Sequence, residues 1–155
     1  MEAVKLRSFD KIYMKLAIEI GQMSHCVKKQ VGSVIAKDTR VISLGYNGPP
    51  TKSFNCNELW PKTGCQRTKT GGCFFSFHAE QNAITYALKN NITLEGASLY
   101  VSLSPCLPCA RLICSVGIQK VFYHELYSEY KGIANEDGIE FLKTFGVTSN
   151  RIQEL

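Results

Sequence analysis

The chain has 155 residues, enough for one domain with a sizeable core, and its 45% hydrophobic and 20% charged residues are ordinary for a globular protein. A net charge of +5 suits a small phosphorylated substrate, and without a lysine-arginine block it argues against a nucleic-acid partner. Glu2, Lys5, Arg7, Asp10, Lys11, Lys15 and Glu19 break up residues 1–20, so no apolar leader is expected there. No run elsewhere approaches the roughly 20 apolar residues of a membrane span, so the expected location is cytoplasmic, the host cytoplasm for a viral source.

Ser8 is placed to cap a first helix, on which Phe9, Ile12, Tyr13, Leu16, Ile20 and Met23 recur at helical spacing. Strands near Gly32–Lys37 and Val41–Tyr46 flank the short polar turn Asp38-Thr39-Arg40 and read as a hairpin. Gly45 to Phe77 is irregular, and residues 48–77 read as a cysteine-rich insertion within a single domain spanning residues 1–155. A loop of that length needs something to pin it. A helix over 78–89 carries a small-residue stripe, Ala79, Ala83 and Ala87, suited to close packing on a sheet. A strand at Ala97–Leu103 leads to a helix from near Cys106 to a natural terminator at Gly117. Then come a strand at Val121–Tyr123, a helix over 136–145 ended by Gly146, and a strand at Val147–Gln153. The order α-β-β-α-β-α-β-α-β predicts an α/β fold whose largely parallel sheet has helices on both faces.

Seven cysteines are the unusual count: Cys26, Cys56, Cys65, Cys73, Cys106, Cys109 and Cys114. Without a secretion signal, thiolates held by metal are a better reading than disulfides. Cys114, among Leu112, Ile113 and Val116, reads as an inert core cysteine.

The strongest motif has two halves, His78-Ala79-Glu80 and Pro105-Cys106-Leu107-Pro108-Cys109. Together they form the H-x-E…P-C-x-x-C pattern of zinc nucleobase deaminases. Cys106 and Cys109, three apart at a helix start, present both sulfurs on one face, where free amides and the helix dipole favour thiolates. His78, also at a helix start, completes a three-ligand zinc site that leaves room for water. Glu80 is the catalytic candidate: it takes the proton of the attacking water, delivers it to the ring nitrogen and later passes a proton to the leaving ammonia. Backbone groups of Ala79 and Ser104, beside the ligands, are candidates to hold the exocyclic amine. Either half alone has a bland reading, a structural zinc half-site or an ordinary helix start. A zinc-stabilised binding module without catalysis would have no use for the Glu80 carboxylate.

Around these residues the chain resembles the cytidine/deoxycytidylate deaminase superfamily, and within it the bacterial and phage dCMP deaminases. The segments Ser24-His25-Cys26-Val27-Lys28-Lys29-Gln30-Val31-Gly32, Gly45-Tyr46-Asn47-Gly48-Pro49, His78 to Ile84 and Ser104 to Ala110 carry the resemblance. It implies a cytidine deaminase-like three-layer α/β/α fold with a mixed five-stranded sheet. It further implies zinc-dependent conversion of dCMP to dUMP for thymidylate synthesis, activation by dCTP with Mg2+, inhibition by dTTP and a homohexamer. Asn47 is then expected at the nucleotide sugar and Tyr127 near the base, with Lys28 a candidate for the phosphate. Phage-type relatives imply a second, structural zinc. Cys26 and Cys56 fall on two of its ligand positions, and Cys65 and Cys73 are the remaining available thiols. Rival activities are deamination of dCTP or deoxycytidine, and of adenosine in tRNA, for which a larger basic surface is expected.

Overall fold

The computed structural model describes residues 7–155; Glu2 and Lys5 of the leader reading lie outside them. In chain order the elements are α1 (Ser8–Gly21), β1 (Gly32–Lys37), β2 (Arg40–Tyr46), α2 (Cys56–Leu59) and α3 (Ala79–Lys89). They continue with β3 (Ser98–Leu103), α4 (Leu107–Ser115), β4 (Lys120–Glu125), α5 (Tyr127–Lys131), α6 (Asp137–Thr144) and β5 (Thr148–Arg151). The described residues build one five-stranded sheet in the order β2-β1-β3-β4-β5.

The sheet is mixed, as the resemblance implied, and not largely parallel as the element order alone suggested. Strand β1 runs antiparallel to both β2 and β3, while β3, β4 and β5 are mutually parallel neighbours. The cause is local. Asp38 and Thr39 both adopt positive φ, 50° and 61°, as a two-residue hairpin turn requires, so β2 must fold back on β1. The crossover through α3 then starts from β2 and lands on the far side of β1, leaving β1 reversed between two strands of common direction.

Strand alternation divides the core into two layers. Leu99, Val101, Val121 and Tyr123 face the side covered by α3, α4 and α6, together with Ala83, Ile84, Ile113 and Leu142. Tyr100, Phe122, Val34 and Ala36 face α1, with Tyr13, Met14 and Ala17. Tyr100 and Phe122 stack at 4.9 Å, and Tyr13 meets Tyr100 edge-on at 5.2 Å.

Helix α1 differs from expectation in two respects. Ser8 is its first residue rather than its cap; the Asp10 carboxylate accepts the Arg7 N–H at 2.8 Å and the Tyr100 hydroxyl at 2.6 Å. The buried stripe is Asp10, Tyr13, Met14, Ala17 and Gly21, while Phe9, Ile12 and Met23 stay exposed. Close approach selects the small residues: a Cβ on Gly32 would overlap the Ala17 carbonyl oxygen, so β1 lies directly against the helix backbone. The alanine stripe of α3 packs as expected, with Ala79, Ala83 and Ala87 fully buried. A Cβ on Gly45 would stand 2.7 Å from the Ala79 oxygen. Ser33 and Ser43 donate to the carbonyls of Ala79 and Ala83 at 2.8 and 2.6 Å.

The insertion is pinned at its root by backbone. Gly48 and Phe77 exchange N–H···O bonds of 3.1 and 2.8 Å, and Trp60 packs edge-on against Phe75 at 5.4 Å. Among the described residues no helix is long and apolar enough to cross a membrane.

Candidate active site

The ends of three consecutive elements converge on one point. His78 is the N-cap residue of α3, its N–H received by Gln81 Oε1 at 2.8 Å, so its ring is free to turn away from the helix. Cys106 occupies the N-cap position of α4 and Cys109 lies in its first turn. His78 Nδ1 is 3.2 Å from Cys109 Sγ and 3.4 Å from Cys106 Sγ. Adjacent corners of a zinc tetrahedron with Zn–S of about 2.3 Å and Zn–N of about 2.0–2.1 Å lie about 3.5 Å apart, so the three donor atoms fit zinc. Among the described residues these three form the group whose ligand atoms all lie within 4.8 Å of one another.

The charge pattern suits a cation. Cys109 donates to Cys106, which holds the Cys106 thiol well below its usual range and pushes Cys109 up. The hydrogen bond to Cys106 raises His78 to about 9. Glu80, 4% exposed in the first turn of α3, lies beside this group and outside it. Burial pushes its carboxyl up to about 7, against the pull of the His78 charge. A carboxyl poised near neutrality can both accept and return a proton.

A cavity of about 450 Å³ opens over the cluster. Its lining includes His78, Glu80 and Cys106, and also Asn47, Ala79, Ser104, Tyr127 and Lys28, all of them named from the sequence. Asn47 serves the backbone as well. Its Oδ1 accepts from Val31 N–H and its Nδ2 donates to the Lys29 carbonyl, both at 2.8 Å, leaving one amide hydrogen for a ligand. The Ala79 carbonyl accepts from Ser33, whereas its N–H, at the first helical position, has no intrahelical acceptor.

The four cysteines named for a second zinc are not gathered into one shell. Cys26, Cys65 and Cys73 line the cavity. Cys56 is buried at the start of α2, 3.2 Å from Ser76 Oγ, and Cys65 Sγ lies 3.8 Å from the Gln66 carbonyl.

Residues without a sequence signal complete the site. Helix α5 brings Tyr130 and Lys131 to the cavity beside Tyr127. Five residues are too few for periodicity to reveal the helix. Glu136, at the N-cap position of α6, joins this wall to the cysteine loop through Ser104 and Ser128. Arg67 reaches the cavity from the insertion.

A family profile described as the cytidine and deoxycytidylate deaminase zinc-binding region matches residues 7–125. The deoxycytidylate deaminase of Enterobacteria phage T4 is 31% identical over 179 residues, covering 92% of this chain and 91% of the relative. That of Saccharomyces cerevisiae is 35% identical over 146 residues, covering 91% of this chain; the chain spans 44% of that longer protein. The crystal structure of dCMP deaminase from the cyanophage S-TIM5 in complex with dCMP and dUMP superposes with a TM-score of 0.79 at 29% identity, covering 96% of this chain and 100% of the other. With the sheet order, the donor set and the matched region in agreement, the chain belongs to the cytidine and deoxycytidylate deaminase family.

Proposed function

We propose that the chain is a hydrolytic deaminase that converts dCMP to dUMP, with zinc held by His78 Nδ1, Cys106 Sγ and Cys109 Sγ. The carrying observation is the buried Glu80 carboxyl beside a three-donor group on the floor of a nucleotide-sized cavity. When bound, the zinc supplies the Lewis acidity that makes a water nucleophilic near neutral pH. Glu80 removes the proton of the attacking water and delivers it to N3 of cytosine as oxygen adds to C4. A second proton passes through Glu80 to the exocyclic nitrogen, the C4–N bond breaks, and ammonia and dUMP leave. The Ala79 N–H and the Ser104 carbonyl hold the polar edge of the base, Tyr127 walls its face, and Asn47 holds the sugar.

The reading extends to a homohexamer in the cytoplasm, or the host cytoplasm for a viral source, activated by dCTP with Mg2+ and inhibited by dTTP. A second cavity of about 380 Å³ supports regulation: Asn47 lines both cavities, and Tyr46, Tyr86, Lys52 and Lys89 offer aromatic and cationic partners to a nucleotide there. A second zinc belongs to the reading as well, and requires Cys26, Cys56 and one or both of Cys65 and Cys73 to draw together.

The test is ammonia release from dCMP, dCTP, deoxycytidine and adenosine-containing tRNA by the purified protein. A higher kcat/KM for dCMP than for the other three is expected. Equal values for dCMP and deoxycytidine would make it a nucleoside deaminase.

A further inference from the structure

Helix α5 forms part of the cavity wall without being packed into the core. None of its five residues is buried, and about one and a half turns is too short a helix to hold itself. Tyr127, Tyr130 and Lys131 recur at i, i+3 and i+4 and make its cavity face. The two rings meet edge-on at 6.5 Å, and Lys131 Nζ lies 5.1 Å from the Tyr130 centroid and 5.9 Å from that of Tyr127. How that face is turned depends on polar ties to the rest of the molecule.

Ser104 and Glu136 accept the N–H groups of Tyr127 and Ser128, which fixes where the helix begins. On the cavity side the Tyr130 hydroxyl donates to the Lys28 carbonyl at 3.3 Å, a long bond. The strongest tie comes from behind. Glu129, two positions past Tyr127, lies on the opposite face, and neither it nor Arg151 lines the cavity. The Arg151 guanidinium takes both carboxylate oxygens, Nη1 to Oε1 at 3.1 Å and Nη2 to Oε2 at 2.9 Å, and its Nε donates to the His124 carbonyl at 2.9 Å. Arg151 is itself anchored as the last residue of β5, in register with Tyr123, while His124 Nδ1 donates to the Ile152 carbonyl at 2.7 Å. A planar fork sets direction as well as distance. The backbone bonds fix the start of α5, and the fork fixes its turn about its own axis.

We propose that Arg151 is a positioning residue for the active site: from the last strand it holds Glu129, and through Glu129 the orientation in which α5 presents Tyr127 to the base. This rests on the reading of Tyr127 as the wall of a dCMP site. The Arg151 and Glu129 side chains are 25% and 56% exposed, so the pair adds little to overall stability. Its effect falls on substrate binding, because the element it holds has no apolar packing of its own. A wall that meets the base equally before and during reaction changes KM and leaves kcat alone.

The experiment measures KM and kcat for dCMP, Tm and zinc content in the wild type, Arg151→Met, Glu129→Ala, the double variant, Tyr127→Ala, and Arg151→Met combined with Tyr127→Ala. KM is expected to rise about 3–5-fold in Arg151→Met and in Glu129→Ala, the scale of an exposed ion pair, and no further in the double variant. The kcat, zinc content and Tm should stay close to wild type. The KM ratio of Arg151→Met to wild type should fall towards one in about 1 M salt, where the pair is screened. With Tyr127→Ala already present, Arg151→Met should leave KM unchanged. A KM raised by Tyr127→Ala but not by Arg151→Met overturns this proposal alone, as does a joint loss of kcat, zinc and Tm in Arg151→Met. A KM unmoved by Tyr127→Ala, or a wild type that releases no ammonia from dCMP, overturns the reading on which it rests.

Discussion

Ser104 donates its hydroxyl to Glu136 Oε2 at 2.9 Å, and through that bond the loop carrying Cys106 is fastened to the start of α6. The same hydroxyl oxygen accepts the Tyr127 N–H at 2.7 Å, and Glu136 Oε1 accepts the Ser128 N–H at 2.7 Å. Glu136→Ala should therefore cost about 2 kcal/mol of stability, as expected for lost hydrogen bonds to a half-buried carboxylate. That corresponds to about 4–8 °C in Tm for a chain of this size. KM for dCMP should rise because the Tyr127 wall is loosened, and Glu136→Gln should be milder on both counts. Thermal melts with steady-state kinetics decide it; unchanged Tm and KM in Glu136→Ala would remove the clamp.

Glu80→Gln should retain fold and zinc while turnover falls by at least about 10²–10⁴-fold, the usual worth of general acid–base catalysis. Ammonia release and metal analysis measure the two separately. Near-wild-type turnover would end the assignment of Glu80 as the proton carrier.

Metal content tests both ion sites. Cys106→Ala or Cys109→Ala should abolish activity and remove the catalytic zinc. About two zincs per wild-type chain, falling to about one in Cys56→Ser with activity retained, is the expected pattern for a second ion. One zinc per wild-type chain would leave the insertion held by its backbone pair at Gly48 and Phe77 and by the contact of Trp60 with Phe75.

Gly138 offers a test remote from the ligands. A Cβ there would overlap the Pro105 carbonyl oxygen, so Gly138→Ala must shift the loop just ahead of Cys106. Displacement near 1 Å at a catalytic centre costs about 10²-fold in rate. Activity should drop on that scale and zinc should be lost to a chelator faster than from the wild type. A fully active variant would mean that α6 yields instead of the loop.

Much of this was legible in the sequence. Turn chemistry at Asp38-Thr39, the terminators Gly117 and Gly146 (both at positive φ), and the alanine stripe are local signals, and local chemistry decided those features. The element order alone overstated the parallel share of the sheet, because the pairing of β1 with β3 depends on where the crossover through α3 lands, which no local pattern states. The buried face of α1 was misread in part: Tyr13 is buried as expected, but Phe9, Ile12 and Met23 are exposed, and at the Gly21–Gly32 approach only small residues fit. The residues from His78 to Glu80 and from Cys106 to Cys109 stood out because metal chemistry restricts residue type and spacing together. Glu136, Tyr130 and Lys131 did not, because a carboxylate clamp or an ammonium on a ring works at any spacing that the fold brings into reach.

The backbone pair between Gly48 and Phe77 brings the two ends of residues 49–76 together between the end of β2 and the start of α3. Asn47 and His78 are held on the sheet side of that knot, by Val31 and Lys29 in one case and by α3 in the other. The segment beyond the knot can therefore change in length or composition while the reacting groups keep their places. It still supplies part of the cavity wall, with Arg67 and Cys73 among its contributions. The segment beyond that pair thus borders the cavity, while the anchors of Asn47 and His78 lie outside it.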